Sequence, residues 1–264
     1  MPNASPKTIV FISGIFIGNN CWDNWKEYFN RNGYESIAPC WPCKDASPEE
    51  LRNRASDDGI ALNRLNELTA FFEDIIHKLP AKPILIGHSL GGLVVQLLLQ
   101  KGLGSAGVAV HSFPPARMNM YHFSLFRKVW PMMALFSSPG KNRLITYTRW
   151  QHTIANGMTG DTQKELYYKY ATPESKLLIK DAFTCAAKIN FKHPHAPLLL
   201  TAGDFDRIIP EKLVYNTYKK YAIGDSVTNY KNFHQHNHLV FDSPAWEKEA
   251  AFILYWLKGL SIYQ

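Results

Sequence analysis

A chain of 264 residues, 46% hydrophobic and 19% charged, has the length for one large domain, or one domain with an insertion, and the apolar content to fill its core. It holds no internal repeat, no low-complexity tract and no apolar run near the roughly 18 to 20 residues of a membrane helix. Its net charge of +7 comes from 29 basic residues scattered among 22 acids rather than from a dense block, which argues against nucleic-acid binding.

In chain order, Lys7 to Ser13 is a short apolar run ended by Gly14. It reads as a first strand rather than a secretory signal, so a cytoplasmic location is expected. Trp22, Trp25, Tyr28 and Phe29 have helical spacing, and Gly33 stops that helix. Tyr34 to Ala38 is a second strand. Cys40-Trp41-Pro42-Cys43 follows with the spacing of a redox pair or half a zinc site. It lies in a loop, with no second close-spaced pair to complete a zinc site, so two loop thiols is the favoured reading.

Ser47-Pro48-Glu49-Glu50 forms a capping box. It precedes a longer amphipathic helix whose apolar face holds Leu62, Leu65, Leu68, Phe71, Phe72, Ile75, Ile76 and Leu79. Pro83 to Gly87 is a third strand, Leu90 to Gly102 a helix and Gly107 to His111 a fourth strand. Later come strands at Pro197 to Ala202 and Ser226 to Lys231, with helices at Glu211 to Tyr221 and Pro244 to Gly259. Strands that are unbroken apolar runs, alternating with helices, predict an α/β fold: a mostly parallel sheet of about six strands with helices on both faces. Residues 116–195 break the alternation and are rich in Met and aromatics. They are expected to form an inserted helical cap on a core domain of residues 1–115 and 196–264, with Phe16, Met118, Phe123 and Trp130 as candidate substrate-binding residues.

Gly87-His88-Ser89-Leu90-Gly91 joins the third strand to the helix after it. A serine in a G-x-S-x-G turn at such a junction is held on a sharp, strained bend, with its hydroxyl above the sheet edge and free N–H groups of the helix start beside it. Here the chain resembles the α/β-hydrolase superfamily, over nearly its whole length and in the order nucleophile, cap, acid, histidine. The resemblance implies Ser89 as nucleophile. In Gly203-Asp204-Phe205-Asp206-Arg207-Ile208-Ile209-Pro210 it implies Asp206 as the acid, with Asp204 second. In the loop Phe233 to Phe241 it implies His238 as the base, with His236 and His234 as spares. It implies an oxyanion hole from the backbone N–H of Leu90 and of Ile15, with Phe16 the alternative donor, and it implies no metal and no cofactor. The family commonly shows His-Gly where this chain has Ser13-Gly14, which leaves open how the loop carrying Ile15 is anchored. The two antiparallel strands that often begin the family's sheet are not expected either, since the first strand starts near Lys7.

The function expected is hydrolysis of a carboxylic ester or thioester of a small to medium apolar substrate through an acyl-enzyme. The alternatives are a carbon–carbon bond hydrolase or lyase on the same triad, a non-catalytic ligand-binding protein, and a thiol oxidoreductase using Cys40 and Cys43.

Overall fold

The computed structural model describes residues 7–54, 58–116, 142–221, 225–242 and 246–260. Six strands are present among them: β1 (Thr8–Ile12), β2 (Glu35–Ile37), β3 (Ile84–His88), β4 (Ala106–Val110), β5 (Leu198–Gly203) and β6 (Thr228–Phe233). All pair in parallel, in the order β2-β1-β3-β4-β5-β6. The expected α/β sheet is therefore observed. β3, β4 and β5 are buried at every residue, which is why their sequences are apolar without alternation. At the edge, β6 alternates partly buried and exposed positions and reads accordingly, as Thr-Asn-Tyr-Lys-Asn-Phe.

The helices are α1 (Asp23–Arg31), α2 (Pro48–Asn53), α3 (Asp58–Leu62), α4 (Leu65–His77), α5 (Leu90–Gln100), α6 (Tyr147–Thr153), α7 (Gly160–Tyr170), α8 (Lys176–Asp181), α9 (Glu211–Tyr221) and α10 (Trp246–Leu260). Parallel crossovers are right-handed, so the reversal of direction after β2 separates α1 from α4, α5 and α9. On one face α1 packs on α10, with the Trp25 and Trp246 rings 6.2 Å apart. On the other, Tyr221 of α9 donates to Gln96 of α5 at 3.2 Å. Among the described residues, no helix is long and apolar enough to cross a membrane.

The long amphipathic run departs from expectation. Ser47 caps α2 as anticipated, its hydroxyl accepting from Glu50 N at 3.2 Å. A second start signal, Arg64 N donating to Glu67 Oε2 at 3.1 Å, opens α4 separately. Leu62 therefore ends α3 and is exposed, while Leu65, Leu68, Phe72 and Ile76 form the buried face.

The strand order reverses between β1 and β3, and open α/β sheets form their binding crevice at the carboxyl ends of strands at such a switch. The register sets what lines that crevice. Ile12 pairs with Gly87, His88 with Val110, Val110 with Thr201 and Gly203 with Phe233. The residues just beyond those pairs come from the loops that carry Ile15, Ser89, His111, Asp206 and His238.

Candidate active site

Ser89 sits between β3 and α5 with φ 55° and ψ −117°, a conformation costing an L-residue about 1–3 kcal/mol. Both its backbone polar groups are tied down: Ser89 N donates to Val110 O at 2.9 Å, and Ser89 O accepts from Phe113 N at 2.9 Å. The flanking glycines are steric requirements. A Cβ on Gly87 would stand 2.2 Å from Gly91 O, and one on Gly91 would stand 2.2 Å from Ile12 O. Ser89 Oγ has no hydrogen bond among the described residues, and the N–H groups of Leu90 and Ile15 have no acceptor there.

Asp206 and His238 meet beside this turn. Asp206 Oδ1 accepts from the N–H groups of Ile208 and Ile209, both at 2.8 Å, so the loop itself orients the carboxylate. Asp206 Oδ2 accepts from His238 Nδ1 at 2.7 Å. That hydrogen bond leaves His238 Nε2 as the ring's other nitrogen. Buried His88 donates from Nε2 to His238 O at 2.8 Å and fixes the loop. Burial, together with the nearby His238 and His111, holds the His88 pKa well below the ordinary value, so its ring is neutral.

The other candidates pair elsewhere. Asp204 engages the exposed His234 at 2.5 Å and Gln235 N at 2.7 Å, and His236 Nδ1 engages Glu249 Oε2 at 3.2 Å. Each of the three alternate histidines thus has its own carboxylate.

The loop after β1 has an anchor that the sequence did not disclose. Phe16, with φ 63°, donates its N–H to Glu174 Oε2 at 3.3 Å and accepts from Thr172 N at 3.0 Å. Ile17 bridges Ala171, and Gly18 N donates to Tyr170 O at 2.9 Å. Glu174 is completely buried, pairs with buried Lys44 at 2.6 Å and accepts Ser175 N at 3.0 Å. The chain that lacks the family's histidine at position 13 thus holds the loop by strand-like pairing and a buried carboxylate. The Phe16 N–H is engaged, whereas that of Ile15 has no partner among the described residues. No local signal marks Lys44 or Glu174, because 130 positions separate them in the chain.

A second buried cluster adjoins Asp206. His111 Nδ1 lies 3.1 Å from Asp206 Oδ2, and its Nε2 lies 3.6 Å from Glu249 Oε2. Burial alone would lower the His111 pKa, but the Glu249 and Asp206 carboxylates raise it to about 9. Burial would likewise raise both acids. Instead the His238 and His111 rings hold Asp206 well below the usual carboxylate range, and His111 and His236 bring Glu249 to about 2.

The sequence model of the alpha/beta hydrolase family matches residues 9–249. The chain belongs to the alpha/beta hydrolase family. Similar solved structures include a monoacylglycerol lipase of Paleococcus ferrophilus, with 19% identity, a TM-score of 0.65 and coverage of 96% of this chain and 95% of that one. A methylesterase from Arabidopsis matches with 15% identity, a TM-score of 0.67 and 96% and 99% coverage. A tomato methylketone synthase I variant complexed with β-ketoheptanoate matches with 12% identity, a TM-score of 0.68 and 97% and 98% coverage. No curated protein matches in sequence.

Among the described residues of this hydrolase two trios, His111–His236–Glu249 and His111–Asp206–His238, bring possible metal-ligand atoms within 4.8 Å of one another. Hydrogen bonds and ion pairs between imidazole and carboxylate account for both. A cleft of about 570 Å³ beside the histidine loop is lined by Asn156, Phe205, His234 and His236, among others, and does not include Ser89. Cys40 and Cys43 are free thiols in a loop where Cys43 has φ 63°, not at a helix start. Of the candidate substrate-binding residues, Phe16 is buried in the loop after β1, while Met118, Phe123 and Trp130 lie outside the described residues.

Proposed function

We propose that this hydrolase cleaves a carboxylic ester or thioester with Ser89, His238 and Asp206 as its catalytic triad. The observation that carries the reading is the 2.7 Å contact from Asp206 to His238, beside a serine held at positive φ on a strand-to-helix turn. His238 Nε2 takes the Ser89 proton as Oγ attacks the carbonyl carbon. Asp206 keeps the proton on Nδ1 and stabilises the imidazolium that forms. The N–H groups of Leu90 and Ile15 receive the oxyanion. His238 then protonates the departing alcohol or thiol, and water repeats the sequence on the acyl-serine. The lipase and methylesterase named above support an ester-bond class.

Residues 116–195 act in this reading as a cap over Ser89. Support comes from the described part of the segment, which touches the site loops: Asn156 Nδ2 donates to Phe205 O at 2.9 Å, and Asn237 Nδ2 donates to Asn156 O at 2.8 Å. An apolar roof binds an acyl chain with about 0.8 kcal/mol per buried methylene, so kcat/KM rises with acyl length until the pocket is full. The test uses a fluorophosphonate probe and a series of nitrophenyl esters. The probe should label the peptide holding residues 84–92, and Ser89→Ala should abolish both labelling and turnover. Labelling of another serine, or an active Ser89→Ala protein, would refute the assignment. A profile flat or falling from acetate onward would remove the apolar roof.

A further inference from the structure

His111 follows the last residue of β4 and is completely buried, with φ 45°, in the left-handed region where a histidine is uncommon. Its N–H donates to Thr201 O at 3.0 Å. The ring is boxed by backbone, since a Cβ on Gly203 would stand 2.6 Å from His111 Cε1. Charged and titratable groups face it from several elements. His88 comes from β3, with ring centroids 6.5 Å apart, and Asp206 from the loop after β5. The loop after β6 contributes His236 and His238, and α10 contributes Glu249. Asp206 Oδ2 is shared by two imidazoles, at 2.7 Å from His238 and 3.1 Å from His111. Both carboxylates are fully buried and need a positive charge between them.

We infer that His111 is a positioning residue for the triad: wedged between Asp206 and Glu249, it holds a positive charge behind the triad acid and tunes how strongly Asp206 draws a proton onto His238. The inference rests on the proposed Ser89–Asp206–His238 triad. An acid with its charge undivided favours the protonated form of its histidine partner, and a protonated ring cannot accept the Ser89 proton. The His111 charge offsets part of that pull. Glu249 keeps His111 charged against burial, which would otherwise discharge it.

The magnitude follows from distance. The His111 and His238 ring centroids are 6.4 Å apart. At an effective dielectric of about 20, one charge at that range moves a titration by roughly one to two pH units. Asparagine at 111 can still donate to Asp206 but carries no charge. H111N should therefore move the acid limb of kcat/KM on a nitrophenyl ester upward by about one to two pH units, with the plateau within about tenfold of the parent. Glu249 would then be buried without its partner, so H111N/E249Q removes one charge of each sign and serves if H111N does not fold. The shift has the same direction in both and is smaller in H111N/E249Q, where the Glu249 charge is lost as well.

An imidazole NMR titration of the full chain gives a readout that needs no turnover. His111 should titrate near pH 9 in the parent and lower in E249Q. A folded H111N/E249Q protein with its acid limb unmoved would overturn the inference, as would a His111 that titrates at its ordinary value. Failure of the triad reading appears separately, as an active Ser89→Ala protein.

Discussion

Gly91→Ala tests whether the serine turn works through close contact with β1. The new Cβ would lie 2.2 Å from Ile12 O and 2.5 Å from Ser13 O, where ordinary van der Waals contact begins near 3.4 Å. Both atoms are backbone carbonyls at the end of β1, where Ile12 is held against Gly87 of β3, so neither is a side chain that can swing aside. The start of α5 must instead retreat by about 1 Å from β1, and overpacking of this kind costs about 1–3 kcal/mol. The retreat separates the Leu90 N–H from the Ile15 N–H, two residues past Ser13, and it shifts Ser89. A misplacement of about 1 Å costs on the order of 10²-fold in rate. We therefore expect kcat/KM on a nitrophenyl ester to fall about 100-fold, with a Tm lower by roughly 2–10 °C. Gly160→Ala is the control. Nothing lies within 4 Å of a Cβ there, and the residue opens α7. It should keep full activity and gain about 0.4–1 kcal/mol. A Gly91→Ala protein within threefold of parent activity would refute the reasoning.

Other outcomes follow from the same geometry. Asp206→Asn should lower kcat by about 10³ to 10⁴ through the wrong histidine tautomer, while Asp204→Asn, whose carboxylate bonds the exposed His234 and the Gln235 backbone, should stay within threefold; steady-state kinetics on both tests the pairing. Glu174→Ala should cost about 3–5 kcal/mol by stranding buried Lys44, and about tenfold in kcat by freeing Phe16 N. In K44M/E174L the urea midpoint should recover but kcat should not; recovery of kcat would show that the loop does not need the carboxylate. The His111 pKa is raised on folding, from 6.5 to about 9, so its contribution to stability is complete below about pH 6.5 and is lost as the pH climbs through about 9. Tm measured from pH 6 to 10 should fall accordingly in the parent and be flatter in H111N/E249Q.

Patterns carried by contiguous residues determined the fold class and the serine turn. An unbroken apolar strand, a G-x-S-x-G junction and a helix start all act within about a dozen positions, where backbone sterics leave few options. Asp206 was a candidate through the resemblance of its loop, and that loop satisfies the carboxylate locally, through Ile208 N and Ile209 N. Tertiary packing decided what lies between distant segments. His111 reads as the end of a strand, and Glu249 as one more acid in the closing helix. Only the pairing of β4 with β5, and the return of α10 across the sheet end, brings Asp206 and Glu249 to either side of the His111 ring. Lys44 and Glu174 are a further case, because a residue 130 positions away leaves no periodicity behind. The number and bounds of the helices from Pro48 to His77 divided along the same line. The apolar spacing was right for α4, but which side of Arg64 each leucine joined depended on a cap hydrogen bond competing with helix continuation, a difference of about 1 kcal/mol that spacing does not encode.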